Sequence, residues 1–195
     1  TSNNTDNMFH DLASNLYWKY TFSKYDQLEL TGNYNYSYNN SNGLRNENSG
    51  LYSYSNRMDM VYSQHVGRLN VDYSKVLKNK MALAIGSNTN YLTTHMNNRT
   101  DQYSDYLYKR WQEYLYIGLD NNRSSSKFNY VLSLGLDYVS SEADKVKNDY
   151  INLLPSVSAS YRFNKKHQLS FNYRRNRTTP GMDMLNPRNT STDSL

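Results

Sequence analysis

A chain of 195 residues with a net charge of +5, 37% hydrophobic residues and 21 tyrosines is of a size for one all-β domain. Its mean hydropathy is −0.93, and no run approaches the roughly 20 apolar residues of a membrane helix or resembles a secretory signal. The absence of cysteine excludes disulfide stapling and thiolate chemistry. Lysines gather at apparent turns and arginines are dispersed, so the basic charge forms no continuous face for nucleic acid.

The chain reads as about eight strands, each alternating apolar and polar residues with the period of two that a strand requires. The first covers 7–22. The second, 27–39, sets Leu28, Leu30, Tyr34, Tyr36 and Tyr38 on one face and Glu29, Thr31, Asn33, Asn35 and Ser37 on the other. The third, 57–76, opposes Leu69, Val71 and Tyr73 to Arg68, Asn70 and Asp72. The fourth starts at Lys80 and separates Met81, Leu83 and Ile85 from Ala82, Ala84 and Gly86. The fifth, 106–123, presents Trp111, Leu115, Ile117 and Leu119. The sixth alternates most cleanly, with Phe128, Tyr130, Leu132, Leu134, Leu136 and Tyr138 against Asn129, Ser133, Gly135 and Asp137. The seventh sets Ile151, Leu153, Val157, Ala159, Tyr161 and Phe163 against Asn152, Ser156, Ser158, Ser160 and Arg162. The eighth sets Leu169, Phe171 and Tyr173 against Gln168, Ser170, Asn172 and Arg174.

Between these strands, short basic hinges (Ser23-Lys24-Tyr25-Asp26, Leu77-Lys78-Asn79-Lys80, Ser124-Ser125-Ser126-Lys127 and Asn164-Lys165-Lys166-His167) alternate with longer polar stretches at 39–56, 96–105 and 140–149. Tight turns at one end and long loops at the other describe an up-and-down meander of the outer-membrane barrel type. The low hydropathy fits, because such a barrel is apolar outside and polar inside. In the sixth strand an aliphatic centre lies between Phe128 and Tyr130 at one end and Tyr138 at the other, the order of an apolar band between aromatic girdles. Residues Leu115, Ile117, Leu119, Leu132, Leu134, Leu136, Val157, Leu169 and Phe171 are the expected lipid-facing set. The alternative is a soluble β-sandwich with one wet face, but sandwich strands are typically about five or six residues and these run to a dozen or more.

Both ends fall on the long-loop side, whereas a complete eight-strand barrel keeps both on the short-turn side. All 195 residues are therefore expected to form a single section of a larger barrel, with the remaining strands absent.

The last fifty or so residues carry a more specific pattern. The strand–turn–strand from Leu154 to Arg175 includes Pro155, Tyr161, Arg174 and Arg175, and is followed by Pro180 and by Leu185-Asn186-Pro187. It resembles the TonB-dependent receptor-type outer-membrane barrels of Bacteroidetes. Thr179 stands where that family usually has arginine before the proline, and Met182 and Arg188 stand where aromatics are common. The resemblance implies a barrel of about 22 strands around a plug domain. It also implies uptake of a scarce nutrient, such as a metal chelate or glycan, driven by the TonB energy complex. No plug and no TonB-box segment is visible in this chain. Outer-membrane lipid, the plug, the rest of the barrel and an unidentified small ligand are the implied partners.

No catalytic or cofactor-binding constellation is visible. His10, His65, His95 and His167 are far apart and lack ligand spacing. Asp101 with Asp105 and Glu142 with Asp144 read as solvated loop charge, since calcium loops need more oxygen ligands at tighter spacing. GxSxG, Walker and GxGxxG signatures are missing. Tyr52, Tyr54, Tyr103, Tyr106 and Tyr108 could stack on sugars or extend a girdle. The first reading is thus a non-enzymatic membrane receptor segment. The second is a soluble or surface β-sheet module that binds glycans through Tyr/Asn-rich loops.

Overall fold

The computed structural model describes residues 2–49, 52–77, 80–98, 104–121, 127–144 and 146–177. They form one sheet of eight antiparallel strands in strict sequence order. The strands are β1 (Ser2–Ser23), β2 (Asp26–Ser49), β3 (Tyr52–Val76), β4 (Ala82–Asn98), β5 (Ser104–Asp120), β6 (Phe128–Ala143), β7 (Val146–Arg162) and β8 (Gln168–Arg174). β1 and β8 are the two edges.

The expected long loops are instead mostly strand. Pairing between β2 and β3 continues through Asn40↔Val61 and Ser41↔Met60 to Ser49↔Tyr52. β4 runs to Asn98 and β5 resumes at Ser104, while β6 and β7 close at Ala143↔Val146. Asn and Ser favour turns by local chemistry, but here the neighbouring strand satisfies their backbone groups. The short-long rhythm therefore lies in hairpin length, not loop length.

The hinges close by local hydrogen bonds. The Asn164 side chain accepts from the amides of Lys166 and His167, each at 2.9 Å. Asn121 spans its hinge: its amide group donates to the Phe128 carbonyl at 2.8 Å and its Oδ1 accepts from the Tyr130 amide at 2.6 Å. Lys80 closes its turn with φ of 63° while its amide donates to the Leu77 carbonyl. Asp144, with φ of 51°, is tied to the neighbouring strand: its amide donates to the Leu107 carbonyl and its side chain accepts the Leu107 amide. It is a structural tip rather than one of a loose carboxylate pair.

Register aligns the apolar faces of all the strands. Leu132 faces Leu119 and Val157; Leu134 faces Ile117 and Pro155; Leu136 faces Leu115 and Leu153. The same face continues through Leu83, Ile85, Tyr73, Val71, Leu28 and Leu30 to Tyr20 and Trp18. Leu169 and Phe171 extend it on β8, opposite Tyr161 and Ala159. Leu115, Ile117, Leu132, Leu134, Leu136, Leu169 and Phe171 are exposed, and Leu119 and Val157 half-buried. Aromatics flank the aliphatic rows: Trp18 stacks on Tyr20, which meets Phe22 edge to face, towards one rim, and Tyr91 packs on Trp111 towards the other. From Phe128 to Tyr138 the strand rises about 34 Å, about 26 Å of height at a tilt of about 40°. Glu113 interrupts this face, its two carboxylate oxygens accepting from Ser87 and Thr89 at 2.6 Å each.

Candidate functional site

The opposite face is a wall of polar side chains that bond to one another across strands. Asn33 donates to Asn15 at 2.6 Å, Lys19 pairs with Glu29 at 2.7 Å, and Asn88 bonds to Asn70. The Tyr116 hydroxyl donates to Asp72. Gly86 and Gly135 make room for two rings: a β-carbon at Gly86 would meet the Tyr116 ring and one at Gly135 would collide with that of Tyr114. Gly135→Ala is expected to cost about 1–3 kcal/mol through overpacking. Most of that loss should vanish in a Tyr114→Ala background, as read from urea midpoints in a double-mutant cycle.

Towards the long-hairpin end this face is not uniformly small and polar. Tyr106, Tyr108 and Ala143 form a buried cluster with Leu92 and Met96 packed against it. Tyr106 and Tyr108 therefore serve packing, not an open sugar platform. The side chains of Tyr52 and Tyr54, and Tyr103 and Asp101 entirely, lie outside the described residues. Asp105 pairs with His95 at 2.5 Å, and His65 bonds to the Tyr34 hydroxyl at 2.8 Å. Among the described residues no group of three or more His, Cys, Asp or Glu could hold a metal ion.

The most organised part of the wall is where β8 ends. The Arg175 amide donates to the Pro155 carbonyl at 3.1 Å. An antiparallel pair at this position exchanges two bonds, but proline has no N–H to return the second. The ladder stops there, with Ser156↔Arg174 as its last pair. The chain then crosses to the polar face, where the Arg177 guanidinium reaches Asp137.

Asp137 has no solvent exposure (0%), which requires a charge partner and hydrogen bonds. It has both. Its Oδ1 accepts from the Gln112 amide at 3.2 Å, and Gln112 in turn accepts from Arg110 at 3.3 Å. Beside this relay lies a cavity of about 550 Å³ lined by Tyr114, Ser133, Leu154, Ser156 and residues 174–177. A second of about 400 Å³ includes Arg68, Arg110, Asn90 and Gln112 in its lining.

Of the residues singled out in the sequence, the structure brings together Pro155, Arg174 and Arg175. Tyr161 lies apart, on the apolar face beside Phe128 and Leu169. Pro180, Leu185, Asn186 and Pro187 fall outside the described residues. Sequence reasoning missed Asp137 and Arg177 as a pair. A carboxylate among Ser133, Gly135 and Val139 was the available signal, but its partner lies beyond the last strand.

The sequence profile of the outer membrane protein beta-barrel family matches residues 8–195. The chain belongs to that family. No curated protein matches it. Among solved structures, this outer membrane protein beta-barrel chain is similar to BauA, the ferric preacinetobactin receptor from Acinetobacter baumannii. The TM-score is 0.59 at 8% identity, covering 83% of this chain and 29% of the receptor. It is similar also to the ferric citrate transporter FecA in its unliganded form, with a TM-score of 0.58 at 12% identity, covering 82% of this chain and 26% of the transporter. It thus spans less than a third of either. Membership places this all-β meander in the bacterial outer membrane.

Proposed function

We propose that the chain is an eight-strand section of a larger barrel of the TonB-dependent receptor type, from a bacterium of the Bacteroidetes, that admits a scarce small nutrient. The observation that carries this reading is the sheet's two-sided chemistry combined with its open edges. One face is largely apolar, broken at Glu113, and the other largely hydrogen-bonded and polar, while β1 and β8 are not paired with each other among the described residues. Unpaired strand edges are not tolerated in lipid, so further strands are needed to close the wall. The overlap with about a quarter to a third of two receptor chains fits a section of that size.

In this reading Leu115, Ile117, Leu119, Leu132, Leu134, Leu136, Val157, Leu169 and Phe171 meet lipid. The hydrogen-bonded face lines the lumen or touches a plug domain in the parent chain. The hinge end faces the periplasm, and the long hairpins face outward to meet the ligand. Energy comes from the TonB complex through the parent chain, and the role is transport without catalysis. An antibody to this chain, applied to fractionated source cells, tests the proposal. The expected result is a heat-modifiable outer-membrane band several times larger than 22.9 kDa. A soluble band near that mass would overturn it in favour of a glycan-binding module.

A further inference from the structure

The cavity at the end of β8 is basic beyond what its own carboxylate balances. Arg174, Arg175 and Arg177 line it, and Arg177 is engaged by Asp137. Among the described residues no ion pair engages Arg174 or Arg175. The remaining lining supplies hydroxyls from Tyr114, Ser133 and Ser156 over an apolar floor at Leu154. Two guanidinium forks without an ion-pair partner among the described residues, beside three hydroxyl groups in a cavity of about 550 Å³, match the donor demand of an oxyanion carrying two or more charges.

The backbone keeps this arrangement in place. Pro155 ends the ladder just above Arg174, the Arg175 amide ties the departing chain to the Pro155 carbonyl, and Asp137 engages Arg177 at the far side. The cavity opens on the polar face, so lipid headgroups on the apolar face do not reach it. The second cavity, with Arg68 in its lining, is also lined by Arg110 and Gln112 of the relay and extends the positive wall across the sheet.

We propose that this cavity is a binding station for a small multivalent oxyanion, of the phosphate or polyphosphate class, on the lumen wall. The proposal rests on the barrel reading only in taking this face as the lumen. The test is calorimetric titration of the full barrel protein in detergent with inorganic phosphate and with pyrophosphate, at low and high salt. Saturable binding is expected, tighter for pyrophosphate and weakened by salt. In Arg174→Gln/Arg175→Gln it should weaken at least tenfold while the heat-modifiable band is retained. If that variant loses the band, Ser133→Ala/Ser156→Ala serves instead, with a weakening of about threefold or more expected. A protein that keeps its heat-modifiable band yet shows no saturable binding, or binding unchanged in the variant that folds, overturns the anion station and leaves the barrel reading standing. Loss of heat-modifiability in the unmodified protein would instead count against the barrel.

Discussion

Arg177→Ala is expected to destabilise the sheet by about 3–5 kcal/mol, the cost of leaving a buried carboxylate without its counter-charge. The reason lies in Asp137, which has 0% exposure and would keep only the Gln112 amide as a partner. One neutral donor does not replace the solvation of a carboxylate. The companion variant separates pairing from packing. Asp137→Leu/Arg177→Met removes both charges together and should lie within about 1–2 kcal/mol of the parent, since apolar replacements of buried pairs are often neutral or stabilising. Urea titration of the folded protein in detergent measures both. Equal losses in the single and the double variant would mean that the pair contributes shape and not charge.

Leu134→Arg should impair insertion by about 2–4 kcal/mol, the cost of a guanidinium facing the middle of a bilayer. Leu134 lies at the centre of the aliphatic rows, between Ile117 and Pro155, with Leu132 and Leu136 to either side on its own strand. Near the rims the same change costs about 0–1 kcal/mol, so Tyr138→Arg is the matched control. Reversible folding into detergent or lipid provides the measurement, and unchanged stability of Leu134→Arg would invert the assignment of faces.

How much of this was legible in sequence depended on whether the two faces of a strand differ in polarity. In β6 the run from Phe128 to Tyr138 alternates because one side is apolar and the other polar, and both the strand and the division of its residues between two faces were readable. From Asn40 to Ser49 most side chains on either face are polar, so alternation vanished and Asn and Ser took on the look of a loop. The stretch is nevertheless paired through to Ser49↔Tyr52. The Arg174-Arg175 pair was visible only as part of a family pattern, and its place next to Pro155 came from the strand pairing. The contact between Asp137 and Arg177 was not, because it depends on the path taken after a ladder ends. The Tyr114–Gly135 fit was equally hidden, since it requires the cross-strand register of β5 on β6.

The long hairpins carry a thermodynamic consequence. β2 and β3 have 24 and 25 residues, about 80 Å of strand each, whereas a barrel strand crosses a bilayer with about 9–11 residues. In the proposed orientation a dozen or so residues of each strand stand beyond the membrane as a paired ribbon. A fringe of loose loops would lose about 1–2 kcal/mol of conformational freedom for every residue ordered around a ligand. A rim already stiffened by cross-strand bonds has surrendered that freedom during folding, so first capture at the cell surface carries little ordering cost.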